Sequence, residues 1–249
     1  MQIDGHEDLI QELGNQFFTL IPEQGWRRVD LWGAPERHEL TVLMDDRSRQ
    51  AVTPPEQIGV ILAKLRALVT DPVKGEWRST RITLTAPGRI TYDYDFGRIR
   101  RETPLGRPFN PMEEHEELLD FTTWMVQTLP TEWEQLFLTF RSVGDYVEIP
   151  AQIITVFGGS GHLRVPDDVV GFFLDLKRYM HKPGREAWTS VRYHLTRHDS
   201  RYTAEYEWDN EPDWDHVPPA EQFTRELELF PRDEDRISDW LRRRLDTTP

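Results

Sequence analysis

Three sets of residues in this chain have types and spacings that invite chemistry. Gly158-Gly159-Ser160-Gly161 suggests a phosphate-binding loop. It lacks the Lys and Ser/Thr that end a P-loop and the spacing of a dinucleotide fingerprint. His162 stands where a nucleophile elbow needs its second glycine. The stretch therefore reads as a flexible loop between a strand and a helix. His194 and His198 are four apart, as in some metal sites, but no Glu of the H-E-x-x-H kind accompanies them. They read as ordinary surface or core histidines. Asp93, Asp95, Glu205 and Glu207 are a candidate general acid/base set. Arg81 and Arg192 fall on the polar face of the neighbouring strands, and a cross-strand carboxylate–guanidinium pair accounts for both without catalysis. No His–Ser–Asp or paired-carboxylate set assembles. No catalytic, cofactor-binding or metal-ligating residue is expected.

The elements that carry these residues are built on a repeat. Ile90, Tyr92, Tyr94 and Phe96 alternate with Thr91, Asp93 and Asp95, the period of a half-buried strand. Ala86-Pro87-Gly88 turns this strand back on the one before it, which opens at Trp77. The same text recurs at 188–208: Trp188 matches Trp77, Arg192 matches Arg81, and Tyr202, Ala204, Tyr206 and Trp208 form the second aromatic face.

Upstream, each hairpin has the same antecedents. Leu9, Ile10, Leu13, Phe17 and Leu20 predict a helix over 6–20, and its copy runs from His115 to Leu129. Strands follow at 25–33 and 38–45, and in the copy at 132–140 and 146–157, around a turn at 141–145. A second helix opens at Val52-Thr53-Pro54-Pro55-Glu56, with Thr53 as cap and Glu56 completing a capping box. Its copy opens at Val165-Pro166-Asp167-Asp168. The pattern is helix, two strands, helix, two strands, written twice. It predicts an α+β fold of two tandem modules, residues 1–108 and 109–249. Each module is an antiparallel sheet of about four strands with helices on one face. Gly97, Pro104, Gly106, Pro108 and Pro111 mark the joint. Two terminal helices, 220–229 and 233–245, extend the second module. The repeated tryptophans Trp26, Trp77, Trp133 and Trp188 are expected in the cores.

Charge narrows the partners. The net charge is −14, and between Glu205 and Asp235 twelve acids face only Arg225 and Arg232. That field repels nucleic acid and anionic membrane and attracts basic proteins. No apolar run approaches the ~18 residues of a membrane span. The first residues lack the basic region of a signal peptide. The absence of cysteine fits a reducing cytoplasm. Within the acidic segment, Trp208 and Trp214 sit among Asp209, Glu211, Asp213 and Asp215, in a loop stiffened by Pro212, Pro218 and Pro219. Aromatics beside acids are anchors for a basic partner. These six residues are the candidate partner-binding site. The alternative is that both rings pack the loop onto the sheet.

The order of elements resembles the YezG-like antitoxins, immunity proteins of bacterial polymorphic toxin systems. It is carried by the helix entering Leu129-Pro130-Thr131-Glu132-Trp133, a second amphipathic helix, a Trp-led strand and the acidic-aromatic run Tyr92-Asp93-Tyr94-Asp95. Glu226–Arg232 followed by Ile237–Leu241 is similar to the ending of actinobacterial relatives. The duplication departs from the family's single-module form. The resemblance implies a cytoplasmic protein, without enzymatic activity or cofactor, that binds a cognate toxin and masks its active site. Acidity suits a basic nuclease, and an NAD-consuming toxin is a second possibility. Two other readings are an enzyme with its site between the modules, using Glu205, Glu207 and His194, and a scaffold for another basic protein.

Overall fold

The first sheet grows from β1 (Trp26–Ala34), whose two faces are both buried but carry opposite chemistry. The computed structural model describes residues 5–97, 109–197 and 201–246. Helix α1 (His6–Leu20) precedes β1, and β2 (Arg37–Met44) and β3 (Arg49–Val52) follow. Helix α2 (Glu56–Leu68), the short pair β4 (Thr70–Asp71) and β5 (Gly75–Glu76), then β6 (Ser79–Thr85) and β7 (Arg89–Asp95) complete the run. The sheet is antiparallel in the order β3-β2-β1-β6-β7. It has five strands where the sequence predicts about four. The addition is β3, which is polar and largely exposed and so shows no alternation.

Val29, Leu31, Ile82 and Leu84 point to one face and join Ile10, Leu13 and Phe17 of α1 and Ile58, Ile61 and Leu65 of α2 in a single core. Trp77 is buried there, and Trp26 packs at its margin half-exposed. Helix α2 starts at Glu56 behind Pro55, with no side-chain cap bond. Thr53 therefore does not cap it. The two prolines bias the chain towards an extended entry before the first turn.

On the other face lie Arg28, Asp30, Arg81 and Thr83, also buried. A one-sided helical layer does not describe this unit. Helix α3 (Pro111–Thr128) follows β7 in the chain, and residues Glu117–Glu132 cluster with the first unit. Arg81 Nη1 donates to the carbonyl oxygens of Val126 and Leu129 at the end of α3. Arg28 Nη1 donates to that of Thr131. Carbonyls at the end of α3 and just past it thus meet guanidinium donors. Arg101–Glu116 cluster with the second unit. The joint expected between modules falls largely on residues 98–108, outside the described residues, as do Met1–Asp4 and His198.

The second unit is built on β8 (Trp133–Val143), followed by β9 (Tyr146–Glu148), β10 (Ala151–Thr155), β11 (Ser160–His162), helix α4 (Asp168–Met180), β12 (Ser190–Thr196) and β13 (Arg201–Glu207). Its antiparallel order is β11-β10-β8-β12-β13, with β9 also pairing β8. The strand predicted over 146–157 is broken at Pro150, which has no N–H for the ladder. Phe140 packs on Phe173 of α4 and edge-on against Trp188. Trp133 and Trp188 are fully buried.

The chain ends in α5 (Ala220–Leu229) and α6 (Asp239–Asp246), joined through a single 3-10 turn at Glu234–Arg236. The second terminal helix is therefore shorter than the 233–245 expected. Both helices close over the β8–β9 hairpin, where Val143, Phe223, Trp240 and Leu241 form a second cluster. The turn there needs Gly144: its φ is +59°, and a Cβ would stand 2.6 Å from the carbonyl oxygen of Gln222.

Candidate partner-binding surface

The acidic-aromatic loop after β13 is held from both ends and from below. Glu207 starts it: Oε1 accepts from the backbone N–H of Asp209 and of Asn210, both at 3.0 Å. These bonds, those to Asn210 first, hold the Glu207 carboxyl below the usual carboxylate range. Pro212 is buried, and Glu211 pairs with Arg244 of α6 at 2.8 Å. Trp214 packs against the cluster under α5 and α6, edge-on to Tyr146.

The clasp of the loop is Glu148. Its Oε2 accepts from Asp215 N–H at 2.9 Å and its Oε1 from His216 N–H at 2.8 Å. Tyr146 hydroxyl and Arg141 also donate to this carboxylate, and Arg141 reaches on to Asp215 at 3.2 Å. Burial by itself would raise the Glu148 pKa, but these four donors outweigh it and hold it below the ordinary value. Nothing local in the sequence marks Glu148, because the loop it clasps lies more than sixty residues on.

The six candidate residues thus divide. Asp209, Asp213 and Asp215 are exposed, while Trp208, Glu211 and Trp214 are half-buried. Trp214 is the ring that packs the loop down. Much of the acidic run is matched internally: Glu205 with Arg192, Glu228 with Arg225, and Glu226 inside the protein with Lys177 and Arg232. Asp209, Asp213 and Glu221 face outward.

Because Glu148 ties two successive amides, Glu148→Ala is expected to release residues 213–217 without unfolding the sheet. Protection of the Asp215 and His216 amides against hydrogen exchange should fall about fivefold or more, for a loss of about 1–3 kcal/mol from the bonds removed. The wild-type clasp depends on pH with a defined sign. A carboxyl whose folded pKa is lowered stabilises fully above the ordinary value of about 4.3 and loses that contribution as pH falls through the folded value. Protection should therefore persist at pH 5 and fade below about pH 4. Protection unchanged in the alanine variant would remove Glu148 from this role.

The residues that invited catalysis are placed elsewhere. Gly158 turns a tight hairpin between β10 and β11, its N–H bonded to the carbonyl oxygen of Thr155, so this is not a strand-to-helix loop. His194 stacks on Phe137, with centroids 4.3 Å apart, and bonds Gln135. Arg192 and Glu205 form the cross-strand pair at 3.2 Å. Arg81 stands opposite Asp93 in register, yet its guanidinium reaches Asp30 at 2.7 Å on the other side. Above that pair lies a cavity of about 320 Å³ walled by Trp32 and Thr41. The charged side chains that line it are paired among themselves, Arg81 with Asp30 and Arg37 with Glu39. Among the described residues, no group of three or more His, Asp or Glu side chains is placed to hold a metal ion, and no helix is long and apolar enough to cross a membrane. No protein-family model matches the chain, and no curated protein matches it.

Proposed function

We propose that this protein is an immunity protein: a non-catalytic, tandemly duplicated module that binds a basic cognate toxin and masks its active site. The observation that carries the reading is the clasped loop. Its backbone is tied at Glu207 and Glu148 and wedged by Trp214, while Asp209 and Asp213 remain exposed. A surface ordered before contact avoids the entropic cost of ordering on binding. Acids at its rim steer a basic partner and raise the association rate. Speed matters to a protein that must act before its toxin does.

Duplication is supported by shared strand order and by repeated contacts. Tyr94 on β7 bonds His6 at the start of α1, and Tyr206 on β13 bonds Glu114 at the start of α3. Trp77 and Trp188 are buried at the same station of each unit.

The test is binding to the product of a toxin gene adjacent to this one, a nuclease or an NAD-consuming enzyme. Asp209→Lys with Asp213→Lys should slow association about tenfold at low salt and leave dissociation nearly unchanged. The difference should shrink at high ionic strength. Absence of any complex with that toxin would sink the proposal.

A further inference from the structure

The two units treat the polar face of their sheets differently. In the first, Arg81 of β6 is buried and donates to two carbonyl oxygens at the C-terminal turn of α3. Arg192 holds the corresponding place on β12. Arg81 stands opposite Trp32 on β1 and Asp93 on β7; Arg192 stands opposite Thr139 on β8 and Glu205 on β13. Arg192 is nevertheless open, its side chain 75% exposed, with Glu205, 66% exposed, as its partner. An exposed pair of this kind is weak and can be redirected at little cost.

Beside it, on a face otherwise polar, stands one exposed aromatic residue. Phe137 takes the register place that Asp30 holds in the first unit: His194 faces Phe137 as Thr83 faces Asp30. Phe137 is 41% exposed, and its ring lies flat on that of His194 with 7° between the planes. An exposed aromatic stack beside a guanidinium has the composition of an interface anchor. The face also runs into the proposed binding loop, because β13 carries Glu205 and ends at Glu207, where the loop is rooted.

We propose that this open face receives the C-terminal end of a helix of the toxin, as the first unit receives the end of α3. Arg192 would turn to the terminal carbonyls, whose partial negative charge it complements, and an apolar side chain would cover Phe137. The inference rests on the immunity reading and adds to it the second surface and the element that fills it.

The experiment uses the full chain and the product of the adjacent toxin gene. Phe137→Ser and, separately, Arg192→Met should each raise the dissociation constant about tenfold or more, mainly through faster dissociation. Both residues are exposed, so both variants should melt within a few degrees of the wild type. In the wild-type complex, radical footprinting should show Phe137 and His194 shielded. A complex whose affinity ignores both variants and leaves both rings open to oxidation would overturn this inference and leave the immunity reading standing. No complex with the toxin would overturn both. A dimer of this chain that Phe137→Ser dissolves would give the face to a second copy and overturn the helix-end assignment.

Discussion

Glu226→Gln is expected to destabilise the second unit by about 3–5 kcal/mol, a loss of the size that follows when a buried ion pair is broken from one side. Glu226 lies on α5 but points inward and is 1% exposed. Its carboxylate accepts from Lys177 Nζ at 3.1 Å, Arg232 Nη2 at 3.2 Å and Gly144 N–H at 2.9 Å. Lys177 is fully buried, also donates to Ser142, and lies over the ring of Phe230. Burial lowers its pKa, and Glu226 works against that shift. The glutamine would leave two buried cations without their anion and turn an amide N–H₂ towards one of them. Lys177→Met makes the opposite case. The charge goes, the stem is replaced by one of similar volume, and Glu226 keeps Arg232 and Gly144. About 1–2 kcal/mol should be lost, chiefly from the unpaired Ser142 acceptors. Urea unfolding of the two variants checks the order. Equal midpoints, or a methionine variant weaker than the glutamine one, would show that the ion pair does not govern this site.

Arg81→Met should cost the first unit a similar amount, about 3–5 kcal/mol, or roughly 10 °C in melting temperature. The substitution strips Asp30, only 5% exposed, of a guanidinium partner at 2.7 Å, while the Thr83 hydroxyl at 2.5 Å stays in place. It also removes the donor from the carbonyls of Val126 and Leu129. Adding Asp30→Asn should restore part of the loss, because the buried charge then disappears with its partner. Arg192→Met, the matching change in the second unit, should cost no more than about 0.5–1 kcal/mol, since its ion pair is exposed. Arg81 on β6 and Arg192 on β12, which stand at corresponding register positions, would then differ by several kcal/mol. Similar melting of the two single variants would mean that residues 126–131 do not seal the face around Arg81.

Much of this architecture is written in local pattern. The alternation of β7 and β13 and the apolar stripes of α1, α2 and α4 place the main elements within a few residues of where they form. Trp77, Trp133 and Trp188 are buried, as expected from the sequence. Period-two parity also puts Arg81 and Arg192 on the polar side of their strands. The edge strands β3 and β11 escape notice because they are short and mostly exposed, so neither face selects for apolar residues. The break at Pro150 is legible after the fact; the proline was there to be read.

The sequence by itself determined the α+β class, the main helices and strands, the charge of the loop after β13 and which side of each strand is polar. Only the tertiary structure decided which polar side is sealed, that Glu226 turns inward to Lys177, and that Glu148 clasps a loop more than sixty residues away. The reason is range. Helix and strand periods are set by neighbours a few residues apart, and a single sequence displays them. Burying a charge is unfavourable until a particular partner arrives, and that partner is supplied by whichever distant segment the packing brings alongside. Arg81 and Arg192 therefore look alike as text and differ as physical objects.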